Sequence, residues 1–72
     1  MTRERVVIRT SFIKLDALLK FCGAAGTGGH AKAMIQSGSV FLDGNACLER
    51  GKKIYTGMVV SVDGKEYEVV SG

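Results

Sequence analysis

Residues 15–38 read LDALLKFCGAAGTGGHAKAMIQSG, and the spacing of their apolar side chains divides them into two helices around a glycine-rich connector. Leu15, Leu18, Leu19 and Cys22 recur at i, i+3, i+4 and i+7, which aligns them on one face of an amphipathic helix. Gly23 stands where such a helix commonly ends in a left-handed residue. The connector AAGTGG, residues 24–29, resists helix continuation because each glycine adds backbone entropy that folding must remove. Thr27 supplies a hydroxyl oxygen for the free N–H groups that open the next helix. Ala31, Met34 and Ile35 make that helix's apolar face and Gly38 its stop.

Working outward, residues 5–9 set Val6 and Ile8 between arginines in the alternation of a short strand, and the charges on both sides suit a sheet edge. Downstream of Gly38 the period changes from helical to two. Val40 and Leu42 bound a short strand that turns at Asp43-Gly44 or Gly44-Asn45, followed by a less regular basic loop over residues 48–53. The second hairpin is clearer: a two-residue turn at Asp63-Gly64 pairs Val62 with Lys65, Val60 with Tyr67 and Met58 with Val69. Ser61, Glu66 and Glu68 are thereby turned to water. The order β, α, α, hairpin, hairpin predicts an α+β fold, two helices packed on a small mainly antiparallel sheet of β-hairpins, with residues 1–72 as a single domain.

At 72 residues the chain buries only about 60% of the surface its unfolded form exposes, so its stability should be modest. It is 46% hydrophobic and 24% charged, a composition that suits a soluble globular protein and offers no membrane span. The N-terminal stretch lacks the apolar core and cleavage site of a secretion signal, so a cytoplasmic location is expected. Cys22 and Cys47 are too few for a disulfide scaffold and are read as free thiols. One histidine and no CxxC pair provide no zinc set, so no metal and no cofactor is expected. The net charge of +3 is unevenly spread: residues 1–57 carry nine basic and four acidic side chains, whereas residues 58–72 carry one basic and three acidic. The basic part is a candidate anion-binding face.

Residues 23–30, GAAGTGGH, begin like a phosphate-binding loop but place Gly29-His30 where lysine and a hydroxyl residue should stand, and they follow a helix rather than a strand. A dinucleotide-binding reading fails on the same context and on length. What remains is a helix start whose free N–H groups suit a phosphate of a larger ligand. Gly29, Lys32, Ala33 and Gln36 form a shallow surface beside it. The densest basic run is Arg50-Gly51-Lys52-Lys53. His30 has no nucleophile that sequence can place beside it and reads as a surface or capping residue, Asp16 as a first-turn helix acid, and Phe21 and Phe41 as packing residues before base-stacking platforms. No catalytic constellation is present, and no small-molecule substrate is expected.

Taken together these segments resemble the RNA-binding domain first recognised in small-subunit ribosomal protein four, the S-four-like or αL motif. Lys14-Leu15-Asp16 with Leu19 is similar to the family's Arg-Leu-Asp-x-x-Leu. Ala31, Met34 and Ile35 fit its Ala-x-x-Leu-Ile, and Gly38-Ser39-Val40-Phe41-Leu42-Asp43-Gly44 its Gly-x-Val-x-Val-Asn-Gly. Thr27 and Gly29 fall where serines are frequent, and Gly57 fits a later turn. The fuller string TGGxAK…GxVxxDG…RGKKxYxG resembles the stand-alone bacterial YaaA/YbcJ-type members, which lack the catalytic domains of larger relatives. The resemblance implies a non-catalytic protein that binds structured RNA, in particular ribosomal RNA during ribosome assembly or maintenance; it leaves the oligomeric state open, with a monomer favoured. The contact expected for such a protein falls on Thr27, Gly28, Gly29, His30, Lys32 and Gln36 at the second helix and on Arg50, Lys52 and Lys53 in the basic loop, with Lys14 and Lys20 extending the patch. Gly28 stands where the family often has an arginine, which leaves Lys32 and the basic loop to supply the charge. The competing expectation is a protein-interaction module docking through Phe41 or the edge strand near Val6.

Overall fold

The computed structural model describes residues 2–72. Along the chain these form β1 (Thr2–Ile8), β2 (Phe12–Lys14), α1 (Leu15–Phe21), α2 (Gly28–Gln36), β3 (Val40–Leu42), β4 (Asn45–Ala46), β5 (Lys53–Tyr55), β6 (Val59–Val62) and β7 (Lys65–Ser71). Five strands make one sheet in the order β1-β7-β6-β3-β4, and β2 and β5 make a separate two-stranded ribbon. Both helices carry their apolar faces into one core: Leu15, Leu18 and Leu19 from α1 and Ala31 and Ile35 from α2 meet Val40, Val60, Val62, Tyr67 and Val69 of the sheet. The expected architecture of two helices on a mainly antiparallel sheet is the one found.

Both hairpins turn where alternation and turn chemistry placed them. Val62 pairs with Lys65 and Val60 with Tyr67, and the Val69 N–H donates to the Met58 carbonyl at 3.0 Å, extending the expected register to its far end. At Asp63-Gly64 the φ angles are 51° and 75°, and at Asp43-Gly44 they are 49° and 88°. Positive φ at both central residues is the type I′ turn, whose twist matches that of the flanking strands and which aspartate tolerates better than most residues. Of the two turns open for the first hairpin, Asp43-Gly44 is therefore the one used. The Asp43 carboxylate also accepts the Val59 N–H at 3.1 Å, tying this turn to β6.

Three features depart from the sequence reading. The first strand covers Thr2–Ile8 rather than residues 5–9, and although it is an edge strand as expected, it pairs in parallel with β7 over its whole length. A parallel neighbour joined through the entire fold leaves no local turn signal. Phe12–Lys14 and Lys53–Tyr55 form strands where only a lead into a helix and a basic loop were read; they pair antiparallel, Phe12 with Tyr55, Ile13 with Ile54 and Lys14 with Lys53. Finally, α1 has no side-chain cap at its start. The N–H groups of Leu15 and Asp16 donate instead to the carbonyls of Lys52 at 2.9 Å and Arg50 at 3.1 Å, so the basic loop itself caps the helix.

The start of α2 is built as expected. Thr27, in extended conformation, accepts the His30 N–H on its hydroxyl, at 3.0 Å. The His30 Nδ1 accepts the Gly26 N–H at 3.3 Å. The His30 ring thus reaches one residue past the cap, to Gly26, whereas in a capping box the third helical side chain accepts the N–H of the cap residue itself. Replacing Thr27 by alanine should therefore cost about 1 kcal/mol while serine retains most of it, which chemical denaturation of the two variants will measure. At the other end, Gly38 donates to Ile35 at 3.2 Å and Ser39 to Met34 at 3.3 Å, the two bonds that close a helix around a left-handed glycine. Cys22 and Cys47 are free thiols. Burial pushes the Cys22 thiol above its ordinary value, so at neutral pH it stays protonated.

Candidate nucleic-acid interface

The ribbon of β2 and β5 has two unlike faces because side chains alternate along a strand. Ile13 and the fully buried Ile54 form the inner face against the core. Their neighbours, Phe12 opposite Tyr55 and Lys14 opposite Lys53, form the outer one. Like charges directly opposite on paired strands, with Cβ atoms about 5 Å apart, destabilise the pair. No carboxylate relieves them: among the described residues the ion pairs within 4 Å are those of Arg3 with Glu66 and Arg50 with Asp16. Lys53 finds partial compensation over the Phe12 ring, with Nζ 5.0 Å from its centroid, an attraction worth about 0.5–1 kcal/mol at an exposed site.

Arg50 and Lys52 are held against this ribbon by the same hydrogen bonds through which the loop caps α1. Arg50 Nε donates to Asp16 Oδ2 at 3.2 Å, with the two side chains 49% and 21% exposed. Such a half-exposed pair contributes at most about 1 kcal/mol. Its geometric effect is larger, since it fixes the loop on the helix while the outer guanidinium nitrogens remain open. Lys14, Arg50, Lys52 and Lys53, read from separate stretches of sequence, thus come together around the start of α1.

The second group of expected residues lies on α2. The Thr27 hydroxyl takes the His30 N–H and the His30 ring takes that of Gly26, leaving the N–H groups of Gly28 and Gly29 without an acceptor among the described residues. A Cβ at Gly28 would meet nothing within 4 Å, and one at Gly29 would meet only the Thr27 hydroxyl at 4.0 Å. The fold itself does not require these glycines. Bare N–H groups at a helix start with open space above them suit an anion whose own bulk must come close. Lys32 and Gln36, one turn apart, are exposed on the same helix, and Lys20 is exposed in the last turn of α1, where it complements the helix dipole.

Of the core or flank packing expected for Phe21 and Phe41, the core half does not hold. Phe21 is 65% and Phe41 40% exposed, so neither fills the core; Phe21 lies beside Val7 and Ile13 at the sheet edge. Phe12 and Tyr55 were not singled out from sequence. Their signal is the alternation Phe-Ile-Lys and Lys-Ile-Tyr, each a single apolar residue between two outward ones, legible only once the two triplets are known to pair.

A family model described as the S4 domain matches residues 6–70. Among solved structures, the solution structure of YbcJ from E. coli, described as revealing an αL motif involved in RNA-binding, superposes with a TM-score of 0.68 at 31% sequence identity, covering 97% of this chain and 87% of that one. No curated protein matches significantly. With a family model spanning nearly the whole chain and a relative sharing both the fold and 31% of its residues, the protein belongs to the S4 domain family.

Proposed function

We propose that the whole chain acts as one RNA-binding domain, gripping the backbone phosphates of folded RNA with the cluster of Lys14, Arg50, Lys52 and Lys53 and with the start of α2. The observation that carries this is Lys14 placed opposite Lys53 with Lys52 alongside, and no carboxylate among the described residues within 4 Å. The arrangement costs the fold stability unless an anion occupies it. Likeness to a family and a relative associated with RNA supports the choice of anion. The RNA proposed is structured ribosomal RNA, met in the cytoplasm during ribosome assembly or maintenance by a monomeric protein without chemistry of its own.

A-form helices are recognised mainly by shape and phosphate position. Binding should accordingly show weak sequence preference and a log–log salt slope of about −0.7 to −0.9 per phosphate contacted. Titration of purified protein against ribosomal RNA fragments across a salt series tests this. A slope near zero rejects it, and partners that stay bound after nuclease treatment would point to protein docking through Phe41 or β1 instead. The helix start has its own test. Gly29→Ala should stabilise the fold by about 0.5–1 kcal/mol, because alanine has less backbone entropy to lose in a helix. The same substitution should weaken RNA binding by adding bulk where a phosphate approaches. Stabilisation with undiminished affinity would remove α2 from the interface.

A further inference from the structure

The outer face of the ribbon holds more than charge. Tyr55 is 44% exposed, and its ring centroid lies 5.9 Å from that of Phe12 with the planes at 53°. Phe12 already carries the Lys53 ammonium over its ring, so Tyr55 is the aromatic surface left open. Beside it runs a shallow depression of about 380 Å³ lined by Glu49, Gly51, Lys52, Lys53, Tyr55 and Met58. Its floor is soft and apolar at Met58, whose Sδ also accepts the Tyr55 N–H at 3.4 Å. Gly51 presents no side chain, and a Cβ there would meet nothing within 4 Å. Two lysines stand at the rim.

We propose that Tyr55, backed by Phe12 and bordered by Lys52 and Lys53, is a stacking site for one unpaired nucleobase, whose flanking phosphates are held by the two lysines. This rests on the RNA reading above and narrows it. Bases inside an A-form duplex are stacked on one another and present no face to a side chain, whereas an unpaired base can be laid on an aromatic ring. The preferred ligand is therefore a stem carrying a bulged or single-stranded nucleotide next to the phosphates that the basic loop holds. Every base has a π-face, so the site accepts all four. The two lysines among the lining residues favour an occupant that carries phosphate over an apolar peptide.

The test uses the full chain and two two-stranded RNA duplexes with the same stem and no loop, one blunt and one with a short single-stranded extension carrying 2-aminopurine. The extended RNA should bind about five- to a hundredfold more tightly than the blunt one, the range that base–aromatic stacking supplies, and its fluorescence should be quenched on binding. Tyr55→Ile keeps a strand-forming residue and should bring the affinity ratio of the two RNAs close to one and abolish the quenching; Tyr55→Phe should preserve both. Equal binding of the two RNAs by the parent protein, without a fluorescence change, overturns the stacking site and leaves phosphate recognition standing. Binding of neither RNA overturns both. The parent comparison needs no variant, so it decides the matter even if Tyr55→Ile fails to fold.

Discussion

Neutralising the ribbon cluster with K14Q, K52Q and K53Q together is expected to flatten the salt dependence of RNA binding by about 2 to 3 in the slope of log K against log salt, since each phosphate contact contributes about 0.7 to 0.9. Glutamine keeps the aliphatic stems that cover the ribbon and removes only the charge. The companion variant Lys65→Gln, on the acidic hairpin, should leave the slope unchanged. Stability should move the other way. Lys14→Gln alone relieves the repulsion from Lys53 while sparing the contact of Lys53 with Phe12. It is expected to raise the unfolding free energy by about 0.2–1 kcal/mol, the usual size of a cross-strand pair effect. Loss of binding joined to gain of stability is the signature of a charge cluster kept for a ligand. If Lys14→Gln destabilises the fold, the two lysines are not in conflict in the free protein, and the argument for an anion site there falls.

The parts of the fold legible in the sequence are those whose partners lie nearby. Leu15, Leu18 and Leu19 on one helix and Ala31 and Ile35 on the next announce themselves by spacing. Asp63-Gly64 sets the register of its hairpin because a type I′ turn leaves no freedom between the residues it joins. Thr27 was readable as a cap because the N–H it receives is only three residues away. The basic cluster was legible in its residue types but not in its assembly. Lys14 and Lys53 pair across 38 intervening residues through strands of three residues each, too short to show alternation and linked by no turn. Asp16 reads as a helix-start acid, and it is one, yet its contact with Arg50 depends on the loop folding back to cap α1, which nothing local to either residue encodes. The parallel pairing of β1 with β7 was hidden for the same reason.

The ribbon is anchored to the rest of the protein through one side chain more than any other, and removing it should have the largest effect on stability. Ile54 is fully buried and lies opposite the half-buried Ile13, so its side chain joins the two-stranded ribbon to the core while Tyr55 and Lys53 face out. Ile54→Ala leaves a cavity and is expected to cost about 2–5 kcal/mol, against about 0.5–1.5 for Ile54→Val. For a chain of 72 residues, whose total stability at about 0.05–0.15 kcal/mol per residue is about 4–11 kcal/mol, the alanine variant gives up a large share. At about 4–8 °C of melting temperature per kcal/mol, the two variants should be readily distinguished by thermal denaturation. Because the loop that caps α1 continues directly into β5, loosening Ile54 should also free the Arg50 and Lys52 carbonyls from the helix start. Hydrogen exchange at the Leu15 and Asp16 amides should then accelerate well before that of the β6 and β7 amides. Uniform acceleration across the chain would mean that the ribbon opens only with global unfolding; a cost below about 1 kcal/mol with unchanged exchange would mean that the basic cluster is held in place by the loop alone.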